Sequence, residues 1–113
     1  MISIRIHLLA NKGQQNELRQ AIENLSQRIV MEVGCLGCRV FQSTSNECEM
    51  VLIEEWKDLE SVQAHVVYSN MAILVGAGRI LTESIRVYPE QDPKVQLLKN
   101  IYETRFSPRS KTV

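Results

Sequence analysis

A chain of 113 residues supports one domain around one core, because two halves of that length would each bury too little apolar surface to be stable. Its composition, 44% hydrophobic and 23% charged, lies in the globular range and excludes an intrinsically disordered polymer. The 13 Lys and Arg balance the 13 Asp and Glu, so there is no net positive field to hold a phosphate backbone, and nucleic acid is not an expected partner.

Apolar stretches such as Met71 to Ala77 fall short of the roughly 18 to 20 residues that span a bilayer, so no membrane partner is expected. The start alternates Ile2, Ile4, Ile6 and Leu8 with Ser3, Arg5 and His7, which is not the continuous apolar block of a secretory leader. The expectation is a cytoplasmic protein. Its three cysteines, Cys35, Cys38 and Cys48, are odd in number and lack the framework of a small secreted domain, so they read as reduced thiols.

In chain order, residues 2 to 9 alternate as a strand buried on one face. Asn11-Lys12-Gly13 breaks that period, and from Gln15 the residues Leu18, Ile22, Leu25 and Ile29 draw the stripe of an amphipathic helix ending near Gly34. Two β-type runs, 36 to 43 and 48 to 56, flank Ser43-Thr44-Ser45-Asn46 and predict an antiparallel hairpin. Asp58 is placed to cap a second helix with Val62 and Val66 on its inner face. Ser69-Asn70 interrupts that helix, a further turn or two from Met71 stops at Gly76 and Gly78, and a last strand runs from Leu81 to Tyr88. The linker Glu90-Gln91-Asp92-Pro93 follows. Beyond it, Val95, Leu98 and Tyr102 predict a short helix that either docks on a partner subunit or frays, and a basic end runs from Arg105 to Val113. The chain divides into a domain at 1–89 and an extension at 90–113.

The order strand, helix, strand, strand, helix, strand predicts an α+β, ferredoxin-like βαββαβ domain with a four-stranded antiparallel sheet and both helices on one face. The third strand is apolar on both faces at its centre, with Val51 and Ile53 opposite Leu52. A covering partner is therefore expected, and two sheets packed across a two-fold axis supply one in a homodimer.

Gly34-Cys35-Leu36-Gly37-Cys38-Arg39-Val40, then Glu54-Glu55-Trp56-Lys57-Asp58, then Ala64-His65, resembles the motif series of antibiotic biosynthesis monooxygenase domains over about residues 1–90. Val33 stands where that series has a proline. The resemblance implies a dimeric α/β barrel with a small-molecule pocket between sheet and helices in each subunit. Members include oxygenases that oxidise quinols or polycyclic phenols without metal or flavin, and relatives that bind and degrade haem. The second histidine that some members carry five residues after the first is Asn70 here, and the asparagine that the anthrone-oxidising branch has four residues before the tryptophan is Leu52. The first-strand asparagine of the haem-degrading branch aligns with Ile6 or His7. These departures weaken the two specific activities.

Glu54 and Trp56 are two apart on one strand and share a face. Trp56 is a stacking wall for a flat aromatic ligand or an ordinary core anchor, and Glu54 orients a polar group or pairs with a basic residue. His65 lies at the border of the inner helix face, where an ordinary pKa of about 6.5 suits it to take a phenolic proton; the competing role is packing. The aromatic anion so formed is a better electron donor to dioxygen than its parent, so a base in a dry pocket replaces a cofactor. Leu52, Tyr68 and Asn70 are the substrate-contact candidates. Cys35-x-x-Cys38 runs into a strand rather than a helix N-terminus, and no second Cys/His pair completes a zinc site, so a structural origin is expected and no metal. The leading expectation is a cofactor-independent monooxygenase using dioxygen and a small aromatic molecule or quinol, with His65, Trp56 and Glu54 as the catalytic set. The alternatives are a non-catalytic ligand- or haem-binding homodimer and a structural dimer whose last helix recruits another protein.

Overall fold

A computed structural model of the chain describes residues 1–89 and 93–106. The alternation at the start forms β1 (Ile2–Ala10), and the apolar stripe forms α1 (Gln15–Ile29) with Leu18, Ile22, Leu25 and Ile29 buried. The hairpin is β2 (Cys35–Gln42) and β3 (Glu49–Trp56). The capped helix is α2 (Leu59–Val66), and Asp58 accepts from the Ser61 backbone N–H at 2.9 Å as its cap. Then follow α3 (Ser69–Leu81), β4 (Thr82–Pro89) and α4 (Pro93–Phe106).

The strands make one antiparallel sheet in the order β2-β3-β1-β4, the α+β, ferredoxin-like arrangement expected from the pattern. One face of this sheet is the core. Ile4 and Ile6 of β1, Leu52 and Trp56 of β3 and Val87 of β4 are all fully buried there, against Leu18 and Ile22 of α1 and Met71 and Leu74 of α3. Burial of each such side chain contributes about 1.5–3 kcal/mol, and these rows hold the layers together.

Several boundaries differ from the sequence reading, and α1 ends at Ile29 rather than near Gly34. The break between α2 and α3 falls at Val67 and Tyr68, before Ser69, where the extended backbone of Tyr68 turns the two helices by 62°. The third helix also runs through Gly76 and Gly78 instead of ending there. Gly78 is small because of packing: a Cβ there would lie 2.5 Å from Ile85 Cδ1 and 3.5 Å from the Phe106 ring, so its absence lets β4 and α4 close on α3.

Helix α4 packs on its own chain, with Tyr102 fully buried and Phe106 at 7% exposure. Arg105 Nη1 donates to the Val66 carbonyl at the end of α2 at 2.9 Å, and Arg79 Nη2 donates to the Arg105 carbonyl at 3.1 Å. The linker expected over residues 90–93 is shorter, since Pro93 opens α4, and the basic end expected from Arg105 starts later, since α4 runs through Phe106; residues 90–92 and 107–113 lie outside the described residues.

The outer sheet face is mixed. Val51 and Ile53 are half-buried, Phe41 and Tyr88 are exposed, and the Arg5 and Arg39 guanidinium groups each lie 5.6 Å from an aromatic centroid, Tyr88 and Phe41 respectively. No single helix among the described residues is long and apolar enough to cross a membrane.

Candidate functional site

The inward row of β3 is Met50, Leu52, Glu54 and Trp56, each without exposed surface. Glu54 is the exception in chemistry. In register it lies between Ile4 of β1 and Cys38 of β2, a carboxylate in the middle of an apolar sheet face. Such a group is tolerated only with partners. Its Oε1 accepts from Trp56 Nε1 at 3.1 Å and from the Tyr102 hydroxyl of α4 at 2.7 Å. Its Oε2 faces His65 Nε2 at 3.3 Å, close enough for strong charge attraction but not aligned as a hydrogen bond.

His65 is on the last turn of α2, where the negative end of the helix dipole favours an imidazolium. The ring is buried, its Nδ1–H donates to Glu32 Oε1 at 2.9 Å, and its centroid is 4.6 Å from that of Trp56. Burial is the largest single influence on its pKa and lowers it. The charge of Glu54 beside it, then hydrogen bonding and charge from Glu32, outweigh burial and leave the pKa above the ordinary histidine value. His65 is thus a cation between two carboxylates over a wider pH range than a free histidine.

Glu32 is positioned by the turn from α1 into β2. Its N–H donates to Ile29 O, and its own carbonyl accepts from Cys35 N–H. Gly34 has φ of 86°, the left-handed region, and a Cβ there would collide with the Ser61 side chain of α2. Lys57 N–H donates to Gly34 O at 2.7 Å and ties the turn to the end of β3. The second oxygen of Glu32 accepts from Asn70 Nδ2 at 2.9 Å.

The result is a string: Trp56 and Tyr102 on Glu54, Glu54 on His65, His65 on Glu32, Glu32 on Asn70. Its inner end is sealed from water. Its outer end opens on a groove of about 250 Å³ lined by Met31, Glu32, Val33, Ala64, His65 and Tyr68, beside a second of about 350 Å³ reached by Arg28 and Asn70. The rim is apolar and exposed, with Val33 at 91% and Met31 at 81%.

Of the residues singled out from sequence, Glu54, Trp56 and His65 come together in one contact cluster, and Leu52 lies beside Glu54 on the same strand face. Asn70 joins through Glu32. Tyr68 stands apart at the groove mouth, half exposed. Sequence reasoning passed over Glu32 and Tyr102. An acid just past the C-terminal end of α1 opposes the helix dipole, and that misfit was the available signal for Glu32. For Tyr102 the signal was weaker: a tyrosine at an apolar helix position needs a partner for its hydroxyl.

Both cysteines of Cys35-x-x-Cys38 are half-buried strand residues, and burial, their largest influence, pushes both thiols up. They are poor thiolates. Among the described residues no group of three or more His, Cys, Asp or Glu is arranged to hold a metal ion.

The ferredoxin-like chain thus holds a carboxylate, an imidazole and a second carboxylate in series beside an indole. The chain belongs to the antibiotic biosynthesis monooxygenase family, whose model matches residues 1–67. The same fold occurs in PA3566 from Pseudomonas aeruginosa, at 17% identity over 79% of this chain and 90% of that one, with a TM-score of 0.73. It occurs in a crystallised antibiotic biosynthesis monooxygenase, at 17% identity over 81% and 98%, TM-score 0.73. A conserved protein from Methanosarcina mazei shares it at 20% identity over 80% and 91%, TM-score 0.71. No curated protein matches the sequence. Helix α4 lies beyond the family match.

Proposed function

We propose that this chain is a homodimeric monooxygenase that oxidises a small electron-rich aromatic or quinol with dioxygen and needs no metal or flavin. The observation that carries the proposal is the Glu54 carboxylate, buried, already accepting one phenolic hydroxyl at 2.7 Å, and backed by His65 at 3.3 Å. A ligand hydroxyl on Glu54 loses its proton to the Glu54 carboxylate. His65 then stabilises the charge, Glu32 holds the imidazole, Trp56 and Leu52 wall the ring, and Asn70 steadies Glu32. Tyr68 stands at the entrance.

The ring anion is the reductant. For a hydroquinone the balance is one ring plus one dioxygen giving one hydroxyquinone plus one water, with all electrons drawn from the ring. Excluding water protects the anion from reprotonation. The homodimer rests on Val51, Ile53, Phe41 and Tyr88 of the outer face, which a second copy would cover. Its measure is sedimentation at micromolar concentration, where a monomer counts against it.

The non-catalytic, haem-binding alternative draws no support from His65, because both ring nitrogens face carboxylates and neither offers a lone pair to iron. Oxygen uptake with a panel of hydroquinones, in wild type, Glu54→Gln, His65→Ala and Trp56→Phe, tests the proposal. Uptake that falls at least about 100-fold in the first two variants supports it; uptake unchanged in all three refutes it, and no uptake by wild type returns the chain to a binding role.

A further inference from the structure

Tyr102 occupies the position that the proposed ligand needs. Its ring is wholly buried, its hydroxyl donates to Glu54 Oε1 at 2.7 Å, and its centroid lies 6.2 Å from that of His65. Across the same carboxylate, Glu54 Oε2 faces His65 Nε2 at 3.3 Å, so the phenol and the imidazole take the two oxygens of one buried carboxylate. Trp56 and His65 stack on each other at 4.6 Å and leave no slot between them. A ring that is to reach Glu54 must therefore take the place of the Tyr102 ring.

The element that carries Tyr102 stands outside the strand order of the sheet. Helix α4 follows the last strand of the sheet, contributes no strand to it, and lies beyond the segment matched to the family. At its C-terminal end Arg105 donates to the Val66 carbonyl and Arg79 donates to the Arg105 carbonyl. Phe106 closes on Gly78 nearby.

We infer that α4 is a removable plug whose Tyr102 phenol stands in for the ligand, and that the chamber it fills binds one monocyclic phenol or hydroquinone when the helix swings out. The inference rests on the site assigned above and adds to it the ligand's size, one ring, and the step that admits it. The apparent affinity of wild type is then lowered by the fraction of molecules with α4 open, and loosening the helix raises it.

The test uses para-cresol, the Tyr102 side chain as a free molecule, with binding measured by calorimetry and α4 followed by amide hydrogen exchange over residues 93–106. Wild type should bind weakly, with exchange in 93–106 rising on saturation. Arg105→Ala, which keeps Tyr102 but removes one clasp, should bind several-fold more tightly, and Tyr102→Ala, which empties a ring-sized space, at least tenfold more tightly with no rise in exchange. Affinity that is the same in wild type and Arg105→Ala, with flat exchange in 93–106, overturns the inference, as does no gain in a Tyr102→Ala protein that is folded by circular dichroism. Should Tyr102→Ala not fold, the Arg105→Ala comparison decides alone. Cresol binding that opens α4 without oxygen uptake from any quinol would remove the oxygenase reading and keep the plug; uptake with no response of α4 would do the reverse.

Discussion

Replacing Glu32 with glutamine should destabilise the protein in acid and much less in alkali. Glu32 Oε1 accepts from His65 Nδ1–H at 2.9 Å, and the two side chains are 8% and 0% exposed, so solvent screens this contact little. A hydrogen bond to a charged partner contributes about 1.5–3 kcal/mol, and glutamine keeps the shape and one acceptor but removes the charge. His65 has its folded pKa raised by Glu54 and Glu32 against the opposing effect of burial. A raised folded pKa stabilises fully below the unfolded value of about 6.5, and that contribution fades as pH rises through the folded value. Glu32→Gln lowers the folded value, so the loss should be about 1.5–3 kcal/mol near pH 5.5, or roughly 6–20 °C in Tm for a domain of this size. In alkali, once the wild-type imidazole is neutral, the difference should shrink below about 1 kcal/mol. Thermal unfolding followed by the fluorescence of Trp56, the single tryptophan, reads this out at both limits. A loss equal at the two limits, or greater in alkali, would falsify the charged Glu32–His65 contact.

The chain has two histidines, and they should titrate on opposite sides of the ordinary value: His65 above it, and His7 below it because of burial and then the Arg5 charge. Proton NMR of the imidazole signals, assigned with His7→Gln, checks this, and Glu32→Gln should move only the upper titration. Gly34→Ala should cost at least about 1–2 kcal/mol from the left-handed backbone alone, and pairing it with Ser61→Gly should recover the steric part but not that backbone part; full recovery in a denaturant titration would contradict the assignment. Cys35 and Cys38 should alkylate more slowly at mild alkaline pH in the folded protein than in urea, since burial holds both thiols protonated. Equal rates would mean the thiols are not shielded.

The sheet and its inward faces were legible because the physics that sets them is periodic. The alternation from Ile2 to Leu8 and the spacing of Leu18, Ile22, Leu25 and Ile29 map onto the buried rows. The strand period also put Glu54 and Trp56 on one face with Leu52, where the structure has them. Helix ends were less legible, since glycine marks both a stop and a close approach, and at Gly78 the second applies. The site was legible only within an element. Contacts between elements, His65 to Glu32 across 33 positions and Tyr102 to Glu54 across 48, depend on turns and docking that no local spacing encodes. The role of His65 changed for that reason: alone it reads as a base of ordinary pKa, but between two carboxylates it holds its proton, and Glu54 becomes the group that meets the ligand.

The central claim is that Glu54, backed by the His65 cation, takes a proton from an aromatic hydroxyl and that the resulting anion gives its electrons to dioxygen. Turnover of a hydroquinone under dioxygen labelled with the heavy isotope of oxygen, with the product weighed by mass spectrometry, tests it most directly. The account predicts one heavy atom in each product molecule, the other in water, and loss of labelled product in Glu54→Gln. An oxidised product carrying no heavy oxygen, with peroxide in its place, would contradict it.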